Sequence, residues 1–216
     1  MLVLEKKDLM AKIIPDKDGS KKDVIIQSAA SLFKEKGYPA TSMRDIAEII
    51  GVEAPSLYNH IESKKEILNE ICFRIARLFT IHLKEVELSD EPVLRKIESI
   101  IRFHISMMMT EYKNVYISDH EWKHLHEPHL TDFKNQRRNY RSRVAALLQK
   151  GIDKNEVTSV NPYVAVLTIL SAIGGIENWQ RSSKKIDAKS LEENMVNILI
   201  EGLRNHAIAN TDKNND

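Results

Sequence analysis

The chain has 216 residues, with 32 Lys and Arg against 31 Asp and Glu, for a formal charge of +1. That balance excludes attachment to nucleic acid or membrane by bulk charge, so any basic footprint must be local. The single cysteine, Cys72, excludes an intrachain disulfide, fits a reducing compartment and reads as packing within an apolar helical stretch.

Seven glycines, six prolines and little β-branched alternation favour long helices. Charges at Glu5, Lys6, Lys7 and Asp8 interrupt the apolar N-terminus, and no secretory or membrane-spanning run follows. The expectation is a soluble cytoplasmic protein with no membrane partner. After a flexible leader (1–19), Ser20 and Asp23 have capping-box spacing and open a helix whose stripe is Ile25, Ile26, Ala29, Ala30 and Phe33. Gly37 stops it. Ser42, with Asp45 three residues on, caps a helix from Met43 to about Ile50, which Gly51 ends. A short helix from about Ala54 to His60 follows, and Ser63-Lys64-Lys65-Glu66 starts a long helix to about Leu88. Further helices are expected at about 91–112, 114–127, 129–154, 161–181 and 188–206, with a frayed tail at 209–216. The fold class is all-α, a three-helix head (20–62) and a helical-bundle body (63–208), about nine helices in all.

Residues 41–61, TSMRDIAEIIGVEAPSLYNHI, have a helix-turn-helix layout. Ala47 is small enough for two helices to cross, and Gly51 accepts the positive φ of a tight turn. Ile46, Ile50, Val52 and Leu57 should pack inward. Ala54, Pro55, Ser56, Tyr58, Asn59 and His60 then stand at or near the outer side, short or hydrogen-bonding as a major-groove helix requires.

The order Thr41-Ser42, Ile46-Ala47, Gly51-Val52, Leu57-Tyr58-Asn59-His60-Ile61, then Ser63-Lys64 with Leu68, resembles the tetracycline-repressor (TetR) family of regulators. Ala29-Ala30, Phe33 and Gly37-Tyr38 extend the match over about residues 22–70. Two positions depart from the pattern. Glu53 stands where Ser or Thr usually caps the recognition helix, and Ile61 replaces Phe. The resemblance implies a sequence-specific regulator without catalysis or a cofactor, binding a near-palindromic double-stranded operator as a homodimer. It implies phosphate contacts from Thr41, Ser42, Tyr58, His60 and Lys64, helped by Lys21 and Lys22. Arg44 would reach phosphate or a base edge, while Ala54, Pro55, Ser56 and Asn59 would read bases.

In the body, Tyr163 to Ile176 is apolar nearly all round, and Leu191, Met195, Ile198, Leu199 and Leu203 give the last helix a stripe. The last two helices are therefore the expected homodimer interface. An effector pocket is expected among Phe103, His104, Met107, Tyr112, Tyr116, Trp122, Tyr140 and Trp179. Lys134, Arg137, Arg138, Arg141 and Arg143 form a basic run, either a solvated face or a holder of nucleotide phosphates. Arg137 with Tyr140, Gly151-Ile152, Asn161-Pro162 and Asn178-Trp179 loosely resemble TetR regulators of lipid catabolism that sense acyl-CoA. The reading is a repressor released by a small hydrophobic effector. Regulation by a metal or a partner protein is the alternative.

His120-Glu121-Trp122-Lys123-His124 spells H-E-x-x-H, which on a helix sets two histidines on one face for zinc. A helical zinc hydrolase is the remote competing reading. It is weakened by Lys123 and by the lack of anything marking Glu156 or Glu177 as a third ligand. A structural or effector metal on His120 and His124, with His82 or His104, stays open.

Overall fold

Ser20 and Ser42 each start a helix by the same reciprocal bond. Ser20 Oγ accepts from Asp23 N–H at 3.3 Å while Asp23 Oδ2 accepts from Ser20 N–H at 3.0 Å. At Ser42 the corresponding distances are 3.1 and 2.7 Å. Aspartate thus closes a box that glutamate usually completes. The helices are α1 (Lys21–Lys36) and α2 (Met43–Ile50). The computed structural model describes residues 20–182 and 186–205. The expected leader (1–19) and tail (209–216) lie outside the described residues.

The third helix, α3 (Ala54–Leu57), is shorter than expected. Tyr58, Asn59 and His60 form weak helices, and the amides of His60 and Ile61 both donate to Leu57 O, at 2.9 and 3.0 Å. The long α4 (Lys64–Leu88) begins with a modified box. Ser63 Oγ accepts from Glu66 N–H at 3.2 Å, but the Glu66 carboxylate takes the Glu62 amide at 2.7 Å and the Lys22 ammonium at 2.7 Å.

Next come α5 (Val93–Thr110), α6 (Tyr112–His120), a 3-10 turn (Trp122–His124) and α7 (His129–Asp153). The helix expected over 114–127 stops at His120. Leu125 is extended and only 4% exposed, so burying it draws the chain off the helical path, and Pro128 disfavours helix at the residue before it. The stretch expected as one helix, 161–181, is α8 (Pro162–Gly174) and α9 (Ile176–Arg181), broken at the glycine pair. Asn161 caps α8 through Tyr163 and Val164 N–H. Finally, α10 (Ala188–Glu201) ends short of 206. Leu203 is buried, its carbonyl accepts from Thr158 N–H at 2.8 Å, and Arg204 pairs with Val157 in an isolated antiparallel bridge. Among the described residues the architecture is all-α.

Packing divides the described residues into two units. One joins residues 20–78 with Lys113–Phe133; the other joins Phe79–Tyr112 with residues 134–182 and 186–205. The first has a core of Phe33, Ile46, Leu57, Ile61, Leu68 and Cys72, completed by Ile117, Leu125 and Phe133. In the second, α8 and α10 both pack on α5, and Arg102 of α5 bridges Glu98 and Glu192. A Cβ on Gly151 would lie 2.6 Å from Val157 Cγ2 and 2.8 Å from Val93 Cγ1, so only glycine permits this approach of α7.

Candidate functional site

In the first unit, α2 packs against both α1 and α3. Gly51 takes φ 79°, ψ 34°, the left-handed conformation its position requires. Val52 N–H then donates to Ala47 O at 3.1 Å and Gly51 N–H to Glu48 O at 3.1 Å, a complete Schellman ending. Ile46, Ala47 and Leu57 are buried as expected. Val52, expected to pack inward, is 41% exposed instead, because the left-handed turn carries it to the surface.

Beyond this turn the outer face is open. Pro55, Ser56, Tyr58, Asn59 and His60 are exposed, Ala54 is half-buried, and Arg44 and Ser42 are exposed on α2 and its cap. Glu53 makes no capping bond, as its chemistry suggests. Ser42 holds the Asp45 carboxyl below its usual range by hydrogen bonding, with Lys36 adding a smaller pull.

Two residues expected to meet phosphates are spent internally. Thr41 is buried, its hydroxyl donating to Gly37 O at 2.9 Å and its amide to Tyr38 O at 3.3 Å. The Lys64 ammonium donates to the carbonyls of Tyr38 (2.8 Å), Thr41 (2.6 Å) and Pro39 (3.4 Å) and lies 4.5 Å from the Tyr38 ring centroid. Burial lowers its pKa. All three ammonium protons therefore face the connector between α1 and α2. Lys64 positions the helix-turn-helix, as does Lys22 through Glu66. Residue spacing gave no sign of the Lys64 and Lys22 bonds, which link positions 23 to 44 apart.

The expected effector residues separate. Phe103, His104 and Tyr140 meet in the second unit, where His104 Nε2 lies 2.7 Å from Tyr140 Oη. Phe79 stacks on His104 at 4.2 Å, and His82 stacks on Phe103 at 4.1 Å. Sequence reasoning missed Phe79 and its place one α4 turn from His82. Burial, with a smaller push from His82, drops the His104 pKa to about 3, and burial raises that of Tyr140, so both are neutral at pH 7. Met107 is buried on α5, and Tyr112 is half-buried. Tyr116 and Trp122 belong to the first unit, so they do not join this cluster. Trp179 donates from Nε1 to Ile186 O at 3.0 Å. Of the basic run, Arg143 is paired to Glu87, while Arg138 and Arg141 are exposed. A small apolar recess beside Tyr140, also missed, is lined by Ile97, Ile100, Ile101, Val144, Val166, Ile169 and Leu170.

The H-E-x-x-H geometry does not form, because the helix ends at its first residue. His120 stacks on Tyr116 at 4.2 Å, whereas His124 stacks on Tyr38 at 5.4 Å and lies 3.4 Å from Glu121. The two histidines thus do not share a helical face. Glu156 accepts from Val93 N–H at 2.6 Å, capping α5, and Glu177 pairs with Arg181. Among the described residues no three metal-ligating side chains converge.

On α8, Tyr163, Val164 and Leu167 are exposed, Leu167 to 66%, and Ile198 on α10 is 70% exposed. Large apolar groups left at the surface of two helices that pack on the same partner mark a protein-binding face. Among the described residues no helix is long and apolar enough to cross a membrane.

A capped helix-turn-helix with an open polar face, carried by a helical body with an unpaired apolar surface, defines a dimeric DNA-binding regulator. Residues 25–71 match the bacterial regulatory proteins of the tetR family, and residues 90–203 match the tetracyclin repressor-like C-terminal domain. The chain belongs to the tetR family of bacterial transcriptional regulators. It is 24% identical over 202 residues to the HTH-type transcriptional repressor KstR2 of Mycolicibacterium smegmatis, spanning 90% of this chain and 96% of that protein. Its fold is similar to the ketosteroid transcriptional regulator KstR2 of Mycobacterium tuberculosis, with TM-score 0.80 and 20% identity over 88% of this chain and 98% of the other. It is also similar to AibR in complex with isovaleryl coenzyme A and operator DNA, with TM-score 0.74 and 22% identity over 84% and 98% of the two chains. These relatives are regulators rather than enzymes.

Proposed function

We propose that this regulator is a cytoplasmic, non-catalytic repressor whose operator complex is released by an acyl-coenzyme A. Residues 20–62 read the DNA, and residues 63–208 hold the effector and the pairing surface. One observation carries the reading: Pro55, Ser56, Tyr58, Asn59 and His60 stand exposed on a turn otherwise fixed by internal bonds. Ser56 and Asn59 supply donors and acceptors to base edges, Ala54 and Pro55 meet thymine methyls, and Arg44, Ser42, Tyr58 and His60 meet the backbone. The repressor name of KstR2 and the isovaleryl coenzyme A bound to AibR support the effector class. Release follows if the thioester prefers a dimer whose heads no longer fit adjacent grooves.

The test is titration of the purified protein against DNA upstream of its own gene and a scrambled control, at fixed salt, with and without a panel of coenzyme A thioesters. Specific binding released by one thioester is expected. Equal, weak binding to both DNAs across several salt concentrations would remove the reading.

A further inference from the structure

Glu53 precedes α3 and is exposed, and among the described residues its carboxylate forms no hydrogen bond or ion pair. Nor does the helix need it as a cap. Pro55, in the first turn, has no amide proton, and Ser56 N–H already donates to Glu53 O at 2.8 Å. Other acids of this unit are engaged: Asp45 by Ser42 and Lys36, Glu66 by the Glu62 amide and Lys22. Glu53 is thus an acid with no structural task, at the start of the segment that faces DNA.

Its charge matters because the surroundings offer little to offset it. Residues 20–66 carry seven Lys and Arg and seven Asp and Glu. Three of those cations are engaged within the fold, Lys22 by Glu66, Lys36 by Asp45 and Lys64 by the connector carbonyls. Such a surface gains little from counterion release, and a carboxylate brought up to phosphates reduces that gain further.

A carboxylate only accepts hydrogen bonds. In the major groove guanine presents N7 and O6 and thymine O4, all acceptors, while adenine sets its N6 amino group beside the N7 acceptor. Cytosine is the base whose own edge offers a donor, the N4 amino group, and no acceptor. Ala54 and Pro55, the next two residues, bring no side-chain donor or acceptor to compete for it.

We infer that Glu53 is a specificity-determining residue, its carboxylate accepting from a cytosine amino group in each operator half-site and repelling the phosphates of other sequences on which the protein settles. The acid lowers affinity for DNA at large and keeps it where the base is right. This rests on the reading of residues 54–60 as the DNA-facing segment, and it adds to that segment one residue and the base it requires.

The experiment is binding-site selection from a randomised duplex pool with the full-length protein, Glu53→Gln and Glu53→Ser, followed by titration of each against the selected operator and a scrambled duplex. Wild type is expected to select cytosine at one symmetric position of each half-site. Glu53→Ser should relax that position, and Glu53→Gln, which donates as well as accepts, should shift it to adenine. Both should bind the scrambled duplex more tightly, so that the ratio of operator to scrambled affinity falls about ten-fold. Neither should lower the thermal unfolding temperature, since no internal bond is lost, and a change in the base selected is a readout that destabilisation does not produce. The same selected sequence from all three proteins, or a uniform gain on both duplexes with an unchanged ratio, overturns the inference and leaves Glu53 an ordinary surface acid. If wild type selects no sequence at all, the DNA-reading assignment falls and the inference with it.

Discussion

Lys64 reaches back to Tyr38, donating to its carbonyl at 2.8 Å while its ammonium lies 4.5 Å from the centre of the same residue's ring. A lysine at the start of the long helix thereby fixes where the helix-turn-helix begins. Lys64→Ala strands carbonyls in a partly buried connector, at a cost of about 1–3 kcal/mol. Thermal unfolding should fall by roughly 2–4 °C per kcal/mol. DNA affinity should drop while its salt dependence keeps the wild-type slope, since no phosphate contact is lost. A slope flattened by about one unit, measured over a salt series, would return Lys64 to the DNA backbone.

Arg44 and Asn59 should separate cleanly in the same assay. Arg44 is exposed on α2, and Arg44→Ala is expected to weaken binding to all sequences and flatten the salt slope by about one. Asn59→Ala should instead cost about 1–3 kcal/mol on the operator alone and relax one position of each half-site. Binding-site selection with the two variants is the check, and a sequence-dependent loss in Arg44→Ala would make it a base reader.

Leu167→Arg places a charge at the centre of the exposed α8 face. Burying an unpaired guanidinium in a subunit interface costs several kcal/mol, so the variant should sediment as a monomer with its helical content unchanged. Its affinity for a full operator should fall far more than for a single half-site. A dimer that survives this substitution pairs through another surface.

Local chemistry was legible wherever the partner lies within a turn. Ser20 with Asp23, Ser42 with Asp45, Asn161 before Pro162 and the left-handed Gly51 all act where spacing put them. What spacing could not reveal depends on distant partners. His120 and His124 look like neighbours on one helix, yet the burial of Leu125 ends that helix and turns His124 onto Tyr38. Lys64 carries the family's motif, but the carbonyls of Tyr38 and Thr41, more than twenty residues back, already occupy its donors. The aromatic residues singled out for a pocket were real members of the core, and only three-dimensional packing sorts Tyr116 from Tyr140.

His104 gives the fold an acid-sensitive point. Its pKa falls from 6.5 to about 3, chiefly through burial, so below pH 6.5 the unfolded chain binds a proton that the folded chain refuses. The contribution is complete above the unfolded value and is lost as pH drops toward the folded one, at up to about 1.4 kcal/mol per pH unit. Denaturant midpoints for wild type should decline over that window, and His104→Gln should decline less. Parallel curves would assign the acid lability to other groups.

Ile117, Leu125 and Phe133 close the core that begins at Ile25, although more than thirty residues of α4 and α5 separate them from it in sequence. The operator-reading segment is therefore no portable cassette. A chimera spliced after the long helix begins would expose the underside of α1 and leave Tyr38 without its stacking partner. Exchanging binding specificities among such regulators should succeed through substitutions on the outward face at 54–60, and fail through transplantation of the N-terminal third.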